Sequence, residues 1–294
     1  MASKLSENVI HYGGEEGERW LKQLPQRIEE LSDSWQLKEV TPYKNLSFNY
    51  VAHALQSGEP VVLKIGWAQN AIVREREWLK YYEDKSELVI NVLAQQGDDA
   101  YLMPRLSPGT TAETLSDEDS TELIGHCVKS LHGSETDEKQ KTNYPNVLEW
   151  FSELQSAGNA ARQVLSDRID KAHAIAKELA EVNETRLLHG DLHHTNLLKD
   201  QSEWVITDPH GVLGDPAHEC AAMLRNGLMF IDTTLSKATH RRVDQLANIT
   251  GLDKKRICAW GYAQNILSCV WSLNANPKAD VAAVIQVIDT LDIG

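Results

Sequence analysis

The residues best suited to chemistry in this chain are His189, Asp191, Asn196 and Asp208. They stand close together in Leu188-His189-Gly190-Asp191-Leu192-His193-His194-Thr195-Asn196-Leu197-Leu198 and Val205-Ile206-Thr207-Asp208-Pro209. An aspartate, an asparagine and a second aspartate at this spacing suit phosphoryl transfer, in which little covalent work falls to the protein. What the protein must supply is a carboxylate beside an acceptor hydroxyl and oxygen ligands for a cation on the nucleotide phosphates. Asp191 fits the first task, and Asn196 with Asp208 the second. Alone, each would read as a turn former or a helix cap; together they point to one site.

A site of this kind also needs a cation on the phosphates. Val61-Val62-Leu63-Lys64-Ile65 offers Lys64 among apolar neighbours, as in the V-A-I-K strand whose lysine pairs with a glutamate of the next helix. Glu75 shares an inward stripe with Ile72 and Leu79 at three- and four-residue spacing and is the favoured partner. Glu77 is the alternative.

Several elements must position these groups. Polar helical sequence runs to about residue 31, after which residues 35–40, 49–55 and 60–65 read as strands, with Gln56-Ser57-Gly58-Glu59 as a hairpin turn. Residues 68–83 carry one apolar stripe at helical spacing. Two more strands are expected at 88–93 and 100–106, around the turn at 95–99. Ser107-Pro108-Gly109 then marks a boundary, so residues 1–106 are expected as a small antiparallel-sheet lobe and 107–294 as a larger, mainly helical one. In the latter, Ser116 should cap a helix, Asp191 should lie in a loop between a helix and a strand, and residues 217–230 should be helical.

Composition narrows the setting. The chain has 294 residues, enough for one large or two unequal domains, with 41% apolar and 24% charged residues, as in soluble globular proteins. Its net charge of −14 disfavours nucleic acid and anionic lipid and is compatible with a cationic small-molecule partner. The N-terminal residues lack a secretory pattern and no stretch approaches a membrane span, so a cytoplasmic location is expected. Cys127, Cys220, Cys258 and Cys269 are scattered, without a CxxC pair, and read as buried thiols.

The order Lys64, Glu75, Met103-Pro104-Arg105-Leu106, Pro108-Gly109, His189 to Asn196, Asp208 and Gly214-Asp215-Pro216 resembles the aminoglycoside phosphotransferase superfamily. Asp208-Pro209-His210-Gly211-Val212-Leu213-Gly214-Asp215-Pro216, Leu224-Arg225-Asn226, and Trp260 with Gln264, Leu267-Ser268 and Trp271-Ser272-Leu273 look most like its streptomycin 6-kinase and hydroxyurea phosphotransferase branch. The resemblance implies an α+β, protein-kinase-like, two-lobed fold and transfer of the ATP γ-phosphate to a hydroxyl of an aminoglycoside-like antibiotic or hydroxyurea. Asp191 would then be the base, Asn196 and Asp208 the Mg2+ ligands, Lys64 the group on the α/β-phosphates, and Met103 to Leu106 the adenine connector. No glycine-rich loop precedes Lys64. Ser47, in Tyr43-Lys44-Asn45-Leu46-Ser47-Phe48-Asn49-Tyr50, either reaches a phosphate there or simply serves a turn. Neither Asp-Phe-Gly nor Ala-Pro-Glu occurs, which argues against a regulated activation loop and a protein substrate.

Other readings use the same residues. His189, Asp191, His193 and His194 could be ligands of a zinc metallohydrolase, a reading that leaves Asn196, Asp208 and Lys64 without a role. A kinase of an unrelated metabolite alcohol and a non-catalytic small-molecule binding protein are the nearer alternatives. His189 reads as a structural pin, and Asp215 as a helix cap or a brace for the Asp191 loop. Glu219, Arg225, Asn226, Trp260, Gln264 and Trp271 are candidates for acceptor contacts, with Trp260 and Trp271 better suited to the core.

Overall fold

Period-two alternation and a tight turn build the N-terminal sheet. In the computed structural model, which describes residues 4–133, 143–181 and 185–292, a helix α1 (Lys4–Trp35) leads into strands β1 (Leu37–Pro42), β2 (Asn49–Gln56) and β3 (Glu59–Gly66). Helix α2 (Gln69–Glu83) and strands β4 (Ala94–Gln96) and β5 (Ala100–Pro104) follow, giving an antiparallel sheet in the order β1-β2-β3-β5-β4. The β2-β3 hairpin closes between Gln56 and Glu59 through Ser57 and Gly58, both at positive φ, the backbone that such two-residue turns require.

Alternation sends Leu63 and Ile65 of β3 into one apolar cluster with Ala52, Ala54 and Leu102 of the sheet and Val9, Leu24 and Leu31 of α1. Lys64, one residue out of phase, is on the other face. Helix α1 is interrupted at Gly14, whose φ of 51° and ψ of −130° are not helical.

Residues 88–93 do not form the expected strand. Val89 makes a single bridge to Ile206, with Ile90 and Ile206 amides donating to the Ile206 and Leu88 carbonyls, while the strand that pairs with β5 begins at Ala94. The apolar run is explained by burial of Val89 and Ile90 rather than by a ladder.

The chain divides into two compact units, Met1–Gly109 with Lys199–Thr207, and Thr110–Leu198 with Asp208–Gly294. After β6 (Pro108–Thr111), the second unit contains α3 (Asp117–His132), α4 (Val147–Phe151), α5 (Asn159–Leu165) and α6 (Arg168–Ala180). Next along the chain come the strands β7 (Arg186–Leu188), β8 (Leu197–Asp200), β9 (Glu203–Ile206) and β10 (Val212–Gly214), with β9 and the end of β8 in the first unit, then, in the second, α7 (Ala221–Arg225), α8 (Leu235–Thr250), α9 (Lys254–Ala275) and α10 (Ala282–Leu291). Ser116 does cap α3, accepting from the Asp119 amide at 3.1 Å.

The helical run expected over 217–230 is broken. A 3-10 turn at Pro216–Cys220 precedes the short α7, which stops at Asn226, and Gly227 reverses the chain at φ 67° before a second turn at Leu228–Phe230. A Cβ at Gly227 would sit 2.5 Å from the His194 ring, so this approach needs glycine for space as well as for φ. Among the described residues, no helix is long and apolar enough to cross a membrane.

Candidate active site

In the first unit, Lys64 of β3 and Tyr101 of β5 are register partners on the sheet face opposite the α1 cluster. Glu75 of α2 meets both: its Oε1 pairs with Lys64 Nζ and accepts from the Tyr101 hydroxyl at 2.5 Å. Lys64 and Glu75 are buried, at 4% and 6% exposure, so the pair is shielded from solvent screening and is held by geometry rather than by chance encounter. Glu77 lies instead toward solvent, against Arg76 and Lys80. Ser47 is half-buried between β1 and β2, its carbonyl accepting from Asn8 Nδ2 at 3.0 Å. Met103 is buried in β5, and Leu106 is half-buried just beyond it.

In the second unit, Asp191 lies between two strands rather than between a helix and a strand. Leu187-Leu188, read from sequence only as an apolar pair, belong to β7, which pairs with β10 through Leu187↔Leu213 and Leu188↔Val212. The loop after β7 is tied down by a residue from further along the chain. Glu219, 1% exposed, accepts from the His189 amide at 2.7 Å and the Gly190 amide at 2.8 Å, and lies 3.1 Å from His132 Nε2. Burial alone would raise its pKa, but His132, His189 and the Gly190 amide hold it below the usual carboxylate value, so it is an anion. Gly190 takes φ 86°, and a Cβ there would meet Trp150 at 2.9 Å.

His189, fully buried, closes the loop from inside. Its Nδ1 accepts from the Asp191 amide at 3.2 Å, and its carbonyl accepts from the His210 and Gly211 amides. Asn196 completes the turn, its Nδ2 donating to the Asp191 carbonyl at 2.8 Å. That bond occupies the amide nitrogen, so the oxygen end is the one suited to a hard cation. Asp208 is exposed and has φ 57°, the left-handed region that aspartate tolerates better than most residues. An asparagine oxygen and a carboxylate make a donor set of the hard type that magnesium takes together with phosphate oxygens.

The Asp191 carboxylate is clamped on both sides. Arg225 Nη2 donates to Oδ1 at 2.7 Å, and His193 Nε2 is 3.3 Å from Oδ2. Desolvation would raise its pKa, but the His193 hydrogen bond and the charges of Arg225, His193 and His210 outweigh it and hold the group far below the usual range. A carboxylate so strongly ionised is a weak base and a good orienting acceptor for a hydroxyl.

Several of the candidates for acceptor contacts have partners within the protein, and Trp260 is buried as its apolar stripe suggests. Glu219 is the loop pin. Gln264 is buried against His218 at 2.9 Å, and Trp260 Nε1 donates to Asp215 Oδ2 at 2.7 Å. Asp215 also caps the turn at Ala217 and pairs with Arg256. Trp271 is half-buried, donating to Glu153 at 2.6 Å. Of the four cysteines, Cys258 is only half-buried, whereas Cys127 and Cys269 are buried and burial pushes their thiols up to about 12. The histidines of the metallohydrolase reading do not converge: His189 faces the Asp191 amide, His193 the Asp191 carboxylate and His194 the Ser120 hydroxyl at 3.1 Å. Among the described residues no group of three or more His, Cys, Asp or Glu is arranged to hold a metal.

His194 makes the site pH-sensitive in stability. It is 3% exposed, and its imidazole is pushed down to about 4 chiefly by burial, with Arg242 and His193 adding to the effect and Asp117 opposing it. The native state therefore keeps it neutral while the unfolded chain protonates it near 6.5. Its contribution is complete above about pH 6.5 and is lost as pH falls toward about 4. Asp117, Asp191 and Glu219, all held below their ordinary values, act at lower pH. Urea midpoints measured from pH 7 to pH 4 are expected to fall in the wild type and to fall less in His194→Gln; equal slopes would remove His194 as the cause.

Comparison with known proteins places these features in context. The profile of the aminoglycoside/hydroxyurea antibiotic resistance kinase family matches residues 34–275. A streptomycin 6-kinase of Streptomyces griseus is 25% identical, over 98% of this chain and 95% of its own length. A hydroxyurea phosphotransferase of Kitasatospora aureofaciens is 26% identical, over 95% of this chain and 83% of its own. Among solved structures, the choline kinase LicA from Streptococcus pneumoniae superposes with a TM-score of 0.66 at 15% identity, covering 92% of this chain and 99% of that one. The fold is thus protein-kinase-like, with an antiparallel-sheet unit and a mostly helical one.

Proposed function

Because the chain belongs to the aminoglycoside/hydroxyurea antibiotic resistance kinase family, we propose that it transfers the γ-phosphate of ATP to a hydroxyl of a streptomycin-type aminoglycoside or of hydroxyurea. The observation that carries this reading is the Asp191 carboxylate, held ionised between Arg225 and His193 on a loop pinned by Glu219. Asp191 orients the acceptor hydroxyl and takes its proton as the bond to phosphorus forms. Lys64, fixed by Glu75, holds the α/β-phosphates, with Ser47 and the backbone from Met103 to Leu106 serving phosphate and adenine. Asn196 and Asp208 would hold Mg2+, which would supply charge neutralisation on the phosphates. The net charge of −14 favours capture of a cationic acceptor without requiring it.

The test is magnesium-dependent ADP release from ATP by the purified protein, with streptomycin, other aminoglycosides, hydroxyurea and a panel of sugar alcohols, and the product identified by mass spectrometry. Phosphorylated streptomycin or hydroxyurea is the expected result. Turnover confined to a sugar alcohol would replace the proposed acceptor, and silence across the panel despite ATP binding would point to a binding protein.

A further inference from the structure

We propose that Arg225 is the positioning residue of the catalytic aspartate: it fixes the rotamer of Asp191 so that an acceptor hydroxyl meets the carboxylate in one orientation. This rests on the phosphoryl-transfer reading above.

The Asp191 loop is already held without Arg225. Glu219 takes the His189 and Gly190 amides, His189 takes the Asp191 amide, and Asn196 takes the Asp191 carbonyl. All of these bonds fix the main chain, and none of them touches the carboxylate. Its Oδ1 is taken by Arg225 Nη2 at 2.7 Å, while Oδ2 faces His193.

Arg225 also differs from the arginines that brace this unit. Arg242, fully buried, uses its nitrogens on Asp117 and on the Met223 and Asn226 carbonyls, and Arg256 uses its own on Asp215 and the Leu179 carbonyl. Each joins elements far apart in sequence. Arg225, by contrast, leaves Nη1 buried with no hydrogen-bond partner among the described residues. A side chain selected for bracing would satisfy both ends of its fork, since a buried unpaired donor is costly. One that is aimed by a single bond at the Asp191 carboxylate is explained by what that carboxylate does.

Its own placement is rigid. Arg225 is the last residue of α7, and Arg242 Nη1 grips the Met223 carbonyl at 2.7 Å and the Asn226 carbonyl at 2.9 Å, on either side of it. The guanidinium therefore projects from a fixed main chain, which a positioning group requires.

The experiment compares wild type with Arg225→Met and Arg225→Lys on whichever acceptor of the panel the wild type phosphorylates. For Arg225→Met, kcat is expected to fall about 100-fold, as when a reacting group is misplaced by about an ångström. The KM values for ATP and acceptor should stay within about threefold, because what is lost is the aim of the Asp191 carboxylate, whose value is realised at the transition state rather than in ground-state binding. Some loss of thermal stability is expected, since Arg225 is one of the charges that hold Asp191 ionised, so rates are compared well below the melting range of every variant; added guanidinium ion should restore part of the rate, and Arg225→Lys should lie between, keeping the charge on a head of different reach and shape. An Arg225→Met enzyme with near-wild-type kcat, one altered only in KM, or one whose loss follows unfolding in both variants without rescue, overturns the proposal. A wild type that phosphorylates no acceptor overturns the functional reading and this inference with it; an active wild type beside an unimpaired Arg225→Met overturns this inference alone.

Discussion

Asp191→Asn is expected to lower the phosphorylation rate by about 10²–10⁴-fold, the range that a positioned proton acceptor contributes, while ATP affinity stays close to wild type. The second half follows from where the bonds lie. Asn196 is tied to the main-chain carbonyl of Asp191, and His189 to its amide, so neither link is lost with the carboxylate. The proposed magnesium ligand Asn196 therefore keeps its place, and Lys64 and Glu75 belong to a different unit. Asparagine preserves the shape and removes the charge, which separates the chemical role from packing. Steady-state rates and ATP binding by calorimetry on the same preparations provide the check, and an Asp191→Asn enzyme with ordinary turnover would remove Asp191 from the mechanism.

Glu219→Gln is expected to damage both stability and rate. Both carboxylate oxygens of Glu219 are used as acceptors, Oε1 for the Gly190 amide and Oε2 for the His189 amide and His132. A glutamine can accept on one side only and turns its NH2 toward an N–H on the other, in a place without solvent. Breaking a buried charged network in this way costs about 3–5 kcal/mol, so the urea midpoint should drop clearly. In what remains folded, kcat should fall, since the loop that presents Asp191 has lost its pin. A variant with unchanged midpoint and rate would show that His189 and the β7-β10 pairing hold the loop unaided.

These two residues also mark what could be read from the sequence. The loop from His189 to Asn196 was legible as one unit because its bonds are local: Asn196 reaches back to Asp191 and Asp191 to His189 within a few positions. Lys64 was legible from its strand context, and the inward spacing of Glu75 on α2 distinguished it from Glu77, which the structure leaves toward solvent. Glu219 and Arg225 are visible as residue types but read only as candidates for acceptor contacts, because nothing in their neighbourhood tells that they fold back onto the loop. Arg242 and Asp117, 125 positions apart, carry no local signal at all. The misread strand at 88–93 and the broken helix over 217–230 have the same origin, since apolar periodicity reports burial and leaves open whether a ladder, a bridge or a turn achieves it.

The return of Lys199–Thr207 to the first unit sets the order in which a growing chain can finish that unit. Leu88, Val89 and Ile90 find their partner only when Ile206 has been made, and Ser107 its partners at Asp200 and Gln201. At the usual 5–20 residues per second, the ribosome needs about 5–20 s to cover the distance from Gly109 to Thr207. For that interval the Leu88 carbonyl and the Ile90 amide lack their backbone partner. A chain cut after Gly109 would lack those partners, and those of Ser107, permanently, so the first unit is better obtained by co-expressing the two halves than by truncation.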